Sequence, residues 1–229
     1  MRRILRICVY ISLVLLLLFA LGVFGVYRAS QQVPKFYAEA IAIEPAKQAA
    51  AGDALEREAL ELNNQVRREG EWFARFTDEQ INGWLADDLP EKFPKLLPEG
   101  VTAPRVSIEP GLAQAACKYE QSGLSTVVVL GIEPYLTDEP NTVAIRIRHV
   151  RAGQIPIPLG QFMTEIADQA GKSGLPLRWS EIEGDPLALI TIPEQIDELK
   201  GRRLQLERIE LKPGELLLSG RTVAIEVPK

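Results

Sequence analysis

The chain has 229 residues, of which 46% are hydrophobic and 25% are charged, and its formal net charge is −5. This length suits one domain of ordinary size together with short additional segments. The acidic balance excludes a broad nucleic-acid-binding surface, because such surfaces are rich in lysine and arginine.

The first predicted element is an uncharged apolar run at Ile7–Tyr27, long enough as a helix to cross the roughly 30 Å hydrocarbon core of a bilayer. Three arginines precede it, so the positive-inside rule predicts a cytoplasmic segment at 1–6 and an extracytoplasmic remainder. The alternative is a cleaved signal peptide, whose apolar region would be only about 7–15 residues long. We expect an uncleaved, single-pass signal anchor in the cell membrane, with residues 7–27 in contact with the lipid bilayer.

Residues 28–70 are predicted to form an interfacial segment and a helical linker. Aromatic side chains favour the membrane interface, which suits Phe36 and Tyr37. The Ala- and Glu-rich stretch at 46–69 favours helix. Four of its apolar side chains fall at helical spacing and form one seam, namely Leu55, Ala59, Leu62 and Val66. This helix either packs on its own domain or forms a short coiled coil between two copies.

The extracytoplasmic domain is predicted at residues 71–229 and begins with a short strand at Glu71–Phe76. The sequence from Thr77 to Gln80 fits a capping box, which starts an amphipathic helix over Asp78–Asp88. Four strands joined by short turns then predict an antiparallel meander. These strands are Val101–Glu109, Leu112–Glu120, Leu124–Tyr135 and Thr142–Arg151.

A second amphipathic helix is predicted at Pro158–Ala170, since proline suits the first turn of a helix. Strands follow at Ala188–Ile192, Arg203–Leu211 and Glu215–Val227, and a hairpin turn joins the last two. The predicted class is therefore α+β: a transmembrane helix, a helical linker, and a curved antiparallel meander with both amphipathic helices packed on its concave face.

The sequence offers little for catalysis. The one histidine, His149, shares strand parity with Ile145 and Ile147, and we expect it to point toward the core as a structural residue. Cys117 lies on the apolar side of a strand and is predicted to be an inert thiol. The sequence has no nucleophile elbow, phosphate-binding loop, dinucleotide glycine pattern or zinc-ligand spacing. We therefore predict a protein that is not an enzyme and has no catalytic residue, cofactor or metal.

The sequence feature that indicates a function is a set of apolar residues. The strand Leu124–Ile132 carries hydrophobic residues on both faces, and the helix Pro158–Ala170 carries a Phe-Met pair. One interpretation is a sheet that protein covers on both sides; the other is a cupped sheet that holds a lipid-like ligand. The candidate cavity residues are Trp84, Leu124, Val128, Leu130, Ile132, Val143, Ile145, Ile147, Phe162, Met163 and Ile166.

Two short motifs begin the predicted amphipathic helices: Thr77-Asp78-Glu79-Gln80-Ile81-Asn82 and Gly153-Gln154-Ile155-Pro156-Ile157-Pro158. Together with the apolar N-terminus and the meander, they resemble the YpmS-like family of uncharacterised single-pass bacterial envelope proteins over roughly residues 1–170. That resemblance implies no catalytic residue. More loosely, the meander with a helix resembles tubular lipid-binding domains, which hold lipids between a curved sheet and a helix.

We predict a membrane-anchored module of the cell envelope that binds a lipid or another apolar ligand without catalysis. The alternative is an envelope scaffolding protein that self-associates as a homo-oligomer through the helix at 46–69. We expect no nucleic-acid partner.

Overall fold

A computed structural model of the chain describes residues 17–225, apart from 23, 26, 122, 159–176, 194–198 and 200. Of the residues that the structure describes, 48% lie in strands and 31% in helices, so this part of the chain is mostly β. The predicted α+β class is therefore wrong, because the hairpins extend into long strands and most of the domain is built from them.

The described part of the chain contains the following helices and strands, each numbered in chain order. The helices are α1 (Lys35–Ile41), α2 (Pro45–Val66), α3 (Asp78–Ala86) and α4 (Asp88–Lys92), and residues 17–22, 24–25 and 27–30 are also helical. The strands are β1 (Gly70–Thr77), β2 (Val101–Glu109), β3 (Leu112–Gln121), β4 (Leu124–Leu136), β5 (Thr142–Ala152), β6 (Ile155–Pro156), β7 (Leu177–Ile182), β8 (Asp185–Thr191), β9 (Arg202–Lys212) and β10 (Glu215–Ala224).

The predicted membrane-spanning helix is contradicted. In the part of the chain that the structure describes, no helix is both long enough and apolar enough to cross a membrane. Crossing requires about 20 consecutive apolar residues in one helix, and the described helical stretches at 17–22, 24–25 and 27–30 do not supply them. Residues 7–16, 23 and 26 of the predicted span lie outside the described residues.

The larger sheet is antiparallel, with strand order β2-β3-β4-β5-β8-β7 and the short β6 on β5. Its first four strands are those predicted for the meander. The sheet then continues through β8 and β7, which the sequence did not assign to it. The predicted helix at Pro158–Ala170 falls almost wholly on residues outside the described part of the chain.

A second, three-stranded sheet has the order β1-β10-β9. The prediction of one curved sheet is thus wrong, because the C-terminal hairpin pairs with β1 and not with the meander. Gly70 lies opposite Thr222 and Thr77 lies opposite Glu215 in this pairing. The sheet joins the first and last strands of the domain, and no local sequence signal reveals such a distant partner.

Asn141 connects the two sheets at the turn between β4 and β5. Its side-chain amide donates to the Leu204 carbonyl oxygen at 2.7 Å, and its Oδ1 accepts the Leu206 N–H at 2.7 Å. Its own carbonyl oxygen accepts the Ile192 N–H at 2.9 Å. This buried side chain therefore provides hydrogen bonds for two backbone groups at the outer edge of β9 and connects that strand to the larger sheet.

Helix α3 lies along the free edge of β2, which corrects the predicted position on the concave face of the meander. Its capping box is present: Gln80 N donates to Thr77 Oγ1 at 3.1 Å, and Thr77 N donates to Gln80 Oε1 at 2.8 Å. Buried Asn82 bonds both the N–H and the carbonyl oxygen of Val106, at 2.7 and 2.8 Å. Backbone groups at the edge of β2 have no strand partner on that side, and Asn82 satisfies those of Val106.

Helices α2 and α3 cross at two glycines. A Cβ on Gly83 would lie 2.4 Å from the Gln48 carbonyl oxygen and 2.6 Å from the Gly52 nitrogen. A side chain at either glycine would therefore push the helices apart, since backbone atoms cannot move aside cheaply. This close contact fixes α2 on its own domain.

Tyr37 was expected at the membrane interface, but it belongs to the core. It is 3% exposed and packs with Ala116, Val127 and Val129 on one face of the larger sheet. Its hydroxyl group donates to the Ala103 carbonyl oxygen at 3.0 Å. Helix α1 is thus a cover for that face.

The last residues of the N-terminal helical segment are fixed to the larger sheet. Gln154 N donates to the Ala29 carbonyl oxygen at 3.0 Å, and Thr126 Oγ1 donates to the Ser30 carbonyl oxygen at 2.7 Å. Gly153, with φ of +59°, leaves the space for this contact, since a Cβ there would lie 2.5 Å from the Ala29 carbonyl oxygen. The end of a helix has unpaired carbonyl groups, and these two donors satisfy them.

Candidate functional site

An apolar groove runs between helix α2 and the three-stranded sheet. Its volume is about 350 Å³, in the lower part of the range of roughly 300–1,000 Å³ that is usual for small-molecule sites. Nine of its ten lining side chains are apolar. The lining residues are Ala59, Leu62, Asn63, Val66, Trp72, Ile192, Leu204, Leu206, Ile209 and Leu218.

The wall of the groove is the predicted seam of α2. Ala59, Leu62 and Val66 belong to that seam, and they face the sheet of their own domain. The structure shows this helix packed on its own domain, and self-association through it stays a prediction. The small side chain of Ala59, which is exposed, leaves the groove open at its rim.

The floor of the groove depends on a β-bulge in β9. Ser219 pairs with Arg208, but the next residue, Gly220, pairs with Leu206, so β9 carries Glu207 as an additional residue. Without the bulge, Leu206 and Ile209 would point to opposite faces of the sheet. Because of it, both side chains line the groove.

Three hydrogen bonds hold α2 beside the sheet. Phe73 N donates to Gln65 Oε1 at 3.2 Å, and Arg75 N donates to Glu58 Oε1 at 3.5 Å, so side chains of α2 cover the outer edge of β1. At the end of the helix, the buried Thr222 hydroxyl group donates to the Val66 carbonyl oxygen at 2.9 Å. These bonds fix the width of the groove, since they hold its wall against its floor.

The predicted cavity residues on β4 and β5 lie together on one face of the larger sheet, away from the groove. Ile132 pairs directly with Ile147, and residues paired directly across two antiparallel strands share a face. Val143 and Ile147 are buried, while the others are half-buried. The half-buried members are Val128, Leu130, Ile132 and Ile145.

The remaining predicted cavity residues have other positions. Trp84 lies on α3, half-buried, with its ring centre 5.9 Å from that of Phe93. The side chain of Leu124 and the residues Phe162, Met163 and Ile166 lie outside the described part of the chain. None of the described members lines the apolar groove. That they enclose a ligand stays a prediction.

His149 does not follow the alternation that the sequence suggested. Gly131 pairs with His149, but its neighbour Ile132 pairs with Ile147, so β5 carries Arg148 as an additional residue. This bulge breaks the shared parity of His149 and Ile147. The imidazole lies over Gly131, where an added Cβ would be 2.4 Å from Cε1.

The environment of His149 favours the neutral imidazole. Burial lowers the pKa of His149, and the positive charges of Arg151 and Arg148 lower it further. Its Nε2 is 2.8 Å from Arg151 Nη2, which fits a neutral ring that accepts a hydrogen bond from the guanidinium. Burial also raises the pKa of the Cys117 thiol, so it favours the unreactive protonated form.

The described ranges contain no group of three or more His, Cys, Asp or Glu side chains placed to hold a metal ion. The residues of the first family-like motif have structural contacts instead. Asp78 N donates to the Gly214 carbonyl oxygen at 3.0 Å, and Asp78 Oδ2 accepts the Ile108 N–H at 3.4 Å. Burial raises the pKa of Asp78, although that hydrogen bond opposes the shift.

Comparisons with known proteins returned no match to a family model, a curated protein or a solved structure. The resemblance to the YpmS-like family therefore stays a prediction.

Sequence reasoning identified the wall of the groove but not its floor. The wall is the apolar seam of α2. The alternation of Trp72, Ala74 and Phe76 is a signal for one apolar face of β1, but it does not name the strand that lies beside them. The bulge at Glu207 has no evident sequence signal.

Proposed function

We propose that this chain binds the acyl chain of a lipid in the groove between α2 and the three-stranded sheet. The observation that carries the proposal is the composition of the groove, in which nine of ten lining side chains are apolar. Concave, mostly apolar pockets are the usual form of small-molecule sites.

An acyl chain suits an open and apolar site. Each methylene that leaves water for an apolar environment contributes about 0.8 kcal/mol, so about eight methylenes contribute about 6 kcal/mol before the cost of association. The lining side chains include no charged group, so the chain itself, and not a charged head group, would supply most of the affinity.

The proposal includes contact with a lipid bilayer of the cell envelope. Support comes from the N-terminal helical segment, where Leu17, Phe19 and Phe24 are 58%, 73% and 61% exposed. Apolar side chains of this kind can lie in the membrane interface without crossing the bilayer. The end of this segment is fixed to the larger sheet by Gln154 and Thr126, so a bilayer contact would hold the domain near its lipid source. The side of the membrane stays a prediction.

Photo-crosslinking of the 229-residue chain in membranes tests the proposal. A fatty acid with a diazirine near its chain end is added and illuminated, and mass spectrometry locates the adducts. We expect them on the groove residues of α2 and β9. Ala59→Phe fills the open rim, and excluding about two methylenes lowers affinity about tenfold or more.

Leu60→Phe is the matched control, because it introduces the same side chain one position along α2, where Leu60 is 61% exposed and does not line the groove. It should leave the yield of adducts unchanged. Adducts confined to β4 and β5, or an equal yield from both variants, would contradict the proposal.

A further inference from the structure

The groove has two distinct ends, because its wall, helix α2, contacts different parts of the three-stranded sheet along its length. At one end, the Thr222 hydroxyl group donates to the Val66 carbonyl oxygen at 2.9 Å. Toward the other end, Glu58, which directly precedes Ala59, accepts the Arg75 N–H at 3.5 Å. Val66 follows Ala59 by two turns of helix, which is about 10 Å at 1.5 Å per residue. The groove therefore has a Val66 end and an Ala59 end.

Two arginines meet at the Val66 end. Arg202 lies two positions before Leu204 on β9, so it shares the face of the strand on which Leu204 lines the groove. Its Nη1 donates to the carbonyl oxygen of Arg67, the residue directly after Val66. The Arg202 side chain is 31% exposed and Arg67 is exposed, so a ligand can reach both guanidinium groups.

Asn63 adds a polar side chain beside these arginines. It is the one lining residue of the groove outside the nine apolar ones, and it is exposed. It lies four residues before Arg67, which is the spacing of neighbours on one face of a helix. Its amide supplies both a donor and an acceptor. The Val66 end therefore combines hydrogen-bond donors with charge, whereas the rest of the lining is apolar.

Positive charge prevails at the Val66 end. The segments 67–71 and 202–203 carry four arginines and two glutamates. The C-terminus of a helix adds only about half a negative charge. Glu69 is 3.8 Å from Arg202 Nε, but no carboxylate of the described residues forms an ion pair with Arg67. An anion is thus favoured at this end.

We infer that the groove binds acyl amphiphiles with an anionic head group in one direction, with the head group at Arg67 and Arg202 and the chain running toward Ala59. The inference rests on the proposed function and names the ligand class of the same groove. The chain supplies most of the affinity, and the head group sets the direction. Guanidinium groups bind carboxylate and phosphate oxygens through charge-assisted hydrogen bonds.

A fatty acid and a lysophosphatidate share this anionic chemistry, so the test has an arm for each. Decanoate and decanoyl lysophosphatidate are anionic, monodecanoylglycerol is neutral and decyltrimethylammonium is cationic. Each is delivered from cyclodextrin to the 229-residue chain, and calorimetry measures its affinity.

We expect one or both anionic ligands to bind about 2- to 5-fold tighter than monodecanoylglycerol, which is the range for an exposed ion pair. The preference should decrease as the salt concentration rises. A preference for only one anionic ligand identifies the carboxylate or the phosphate as the head group.

Arg67→Gln should remove this preference and leave the affinity for monodecanoylglycerol unchanged. The substitution keeps the backbone carbonyl group that accepts the Arg202 hydrogen bond. Arg57→Gln is the matched control, because it removes the same charge from an exposed position of α2 that does not line the groove. It should change neither affinity.

Photo-crosslinking tests the direction of binding. Two palmitic acids carry a diazirine either near the carboxylate or near the end of the chain. The first should label residues 63–67 and 202–204, and the second should label Ala59 and Ile209. The reverse order, or the same residues labelled by both compounds, would overturn the inference.

The outcomes separate the inference from the proposed function. If all four ligands bind equally to the wild-type chain and to Arg67→Gln, the groove binds chains but the inference is wrong. Tighter binding of the cationic ligand than of the anionic ligands leads to the same conclusion. If no ligand binds the wild-type chain, both the inference and the proposed function are wrong.

Discussion

At the scale of single residues, two buried asparagines join separate parts of the fold. Asn82 bonds both backbone groups of Val106 at the edge of β2, and Asn141 bonds Leu204 and Leu206 at the edge of β9. An asparagine amide has both a donor and an acceptor, so it can replace one residue of a missing neighbouring strand. No local pattern singles out Asn141, because its partners lie more than 60 positions away.

Asn141→Ala should lower the free energy of unfolding by about 2–4 kcal/mol, because it leaves the Leu204 carbonyl and the Leu206 N–H unpaired. The left-handed backbone at this position, with φ of +52°, also suits asparagine better than alanine. Urea denaturation measures the change. Asn64→Ala, at an exposed position of α2, is the control and should change stability by less than about 0.5 kcal/mol. Equal effects of the two variants would contradict the assigned role of Asn141.

His149 should make stability depend on pH. Its pKa in the folded chain lies below the ordinary value of 6.5, so the unfolded chain binds a proton more readily. The free energy of unfolding should therefore fall as pH decreases from 6.5 toward the folded pKa. Urea denaturation at pH 7.5 and pH 5 should show a smaller loss for His149→Gln than for the wild-type chain. The same loss in both would mean that His149 titrates as it does when unfolded.

At the scale of elements, sequence reasoning predicted the features that depend on neighbouring residues and missed the contacts between distant parts of the chain. The strand Val101–Glu109 and the capping box at Thr77 follow from alternation and spacing within a few residues, and both are present. The pairing of β1 with β10 and the two bulges depend on partners far away in the sequence. The predicted transmembrane helix rested on the hydropathy of residues 7–27 and on the charges beside them, and among the described residues no helix is long and apolar enough to cross a membrane.

The contact between Gly153 and the N-terminal helical segment can be tested by a substitution. Gly153→Ala places a Cβ against the Ala29 and Ser30 carbonyl oxygens, so the Gln154 and Thr126 hydrogen bonds should weaken. Hydrogen exchange should become faster in peptides covering residues 27–32. Gly184→Ala is the control, since φ is +88° and no atom lies within 4 Å of its Cβ.

Both variants place alanine at a positive φ, which is unfavourable for a residue with a Cβ, so only the contact with residues 29 and 30 distinguishes them. If exchange at 27–32 changes equally in the two variants, or in neither, the contact does not hold that segment.

At the scale of the whole molecule, two apolar regions matter for ligand binding. One lines the groove beside the three-stranded sheet, and the other lies on β4 and β5 of the larger sheet. Sequence reasoning selected the second region, because its strands are consecutive and their alternation is visible. The groove requires the first strand, the last hairpin and α2 to come together, and only the three-dimensional structure reveals that arrangement. The proposed function therefore keeps the predicted class of ligand but changes the site.

Tryptophan quenching by a brominated acyl chain tests the central claim most directly, because bromine quenches only on contact. Two variants each keep one reporter: Trp84→Phe with Trp179→Phe retains Trp72, and Trp72→Phe with Trp179→Phe retains Trp84. Stearic acid brominated at mid-chain should quench Trp72 and leave Trp84 unchanged, and unbrominated stearic acid should quench neither. Quenching of Trp84 but not of Trp72 would contradict the account and place the acyl chain outside the groove.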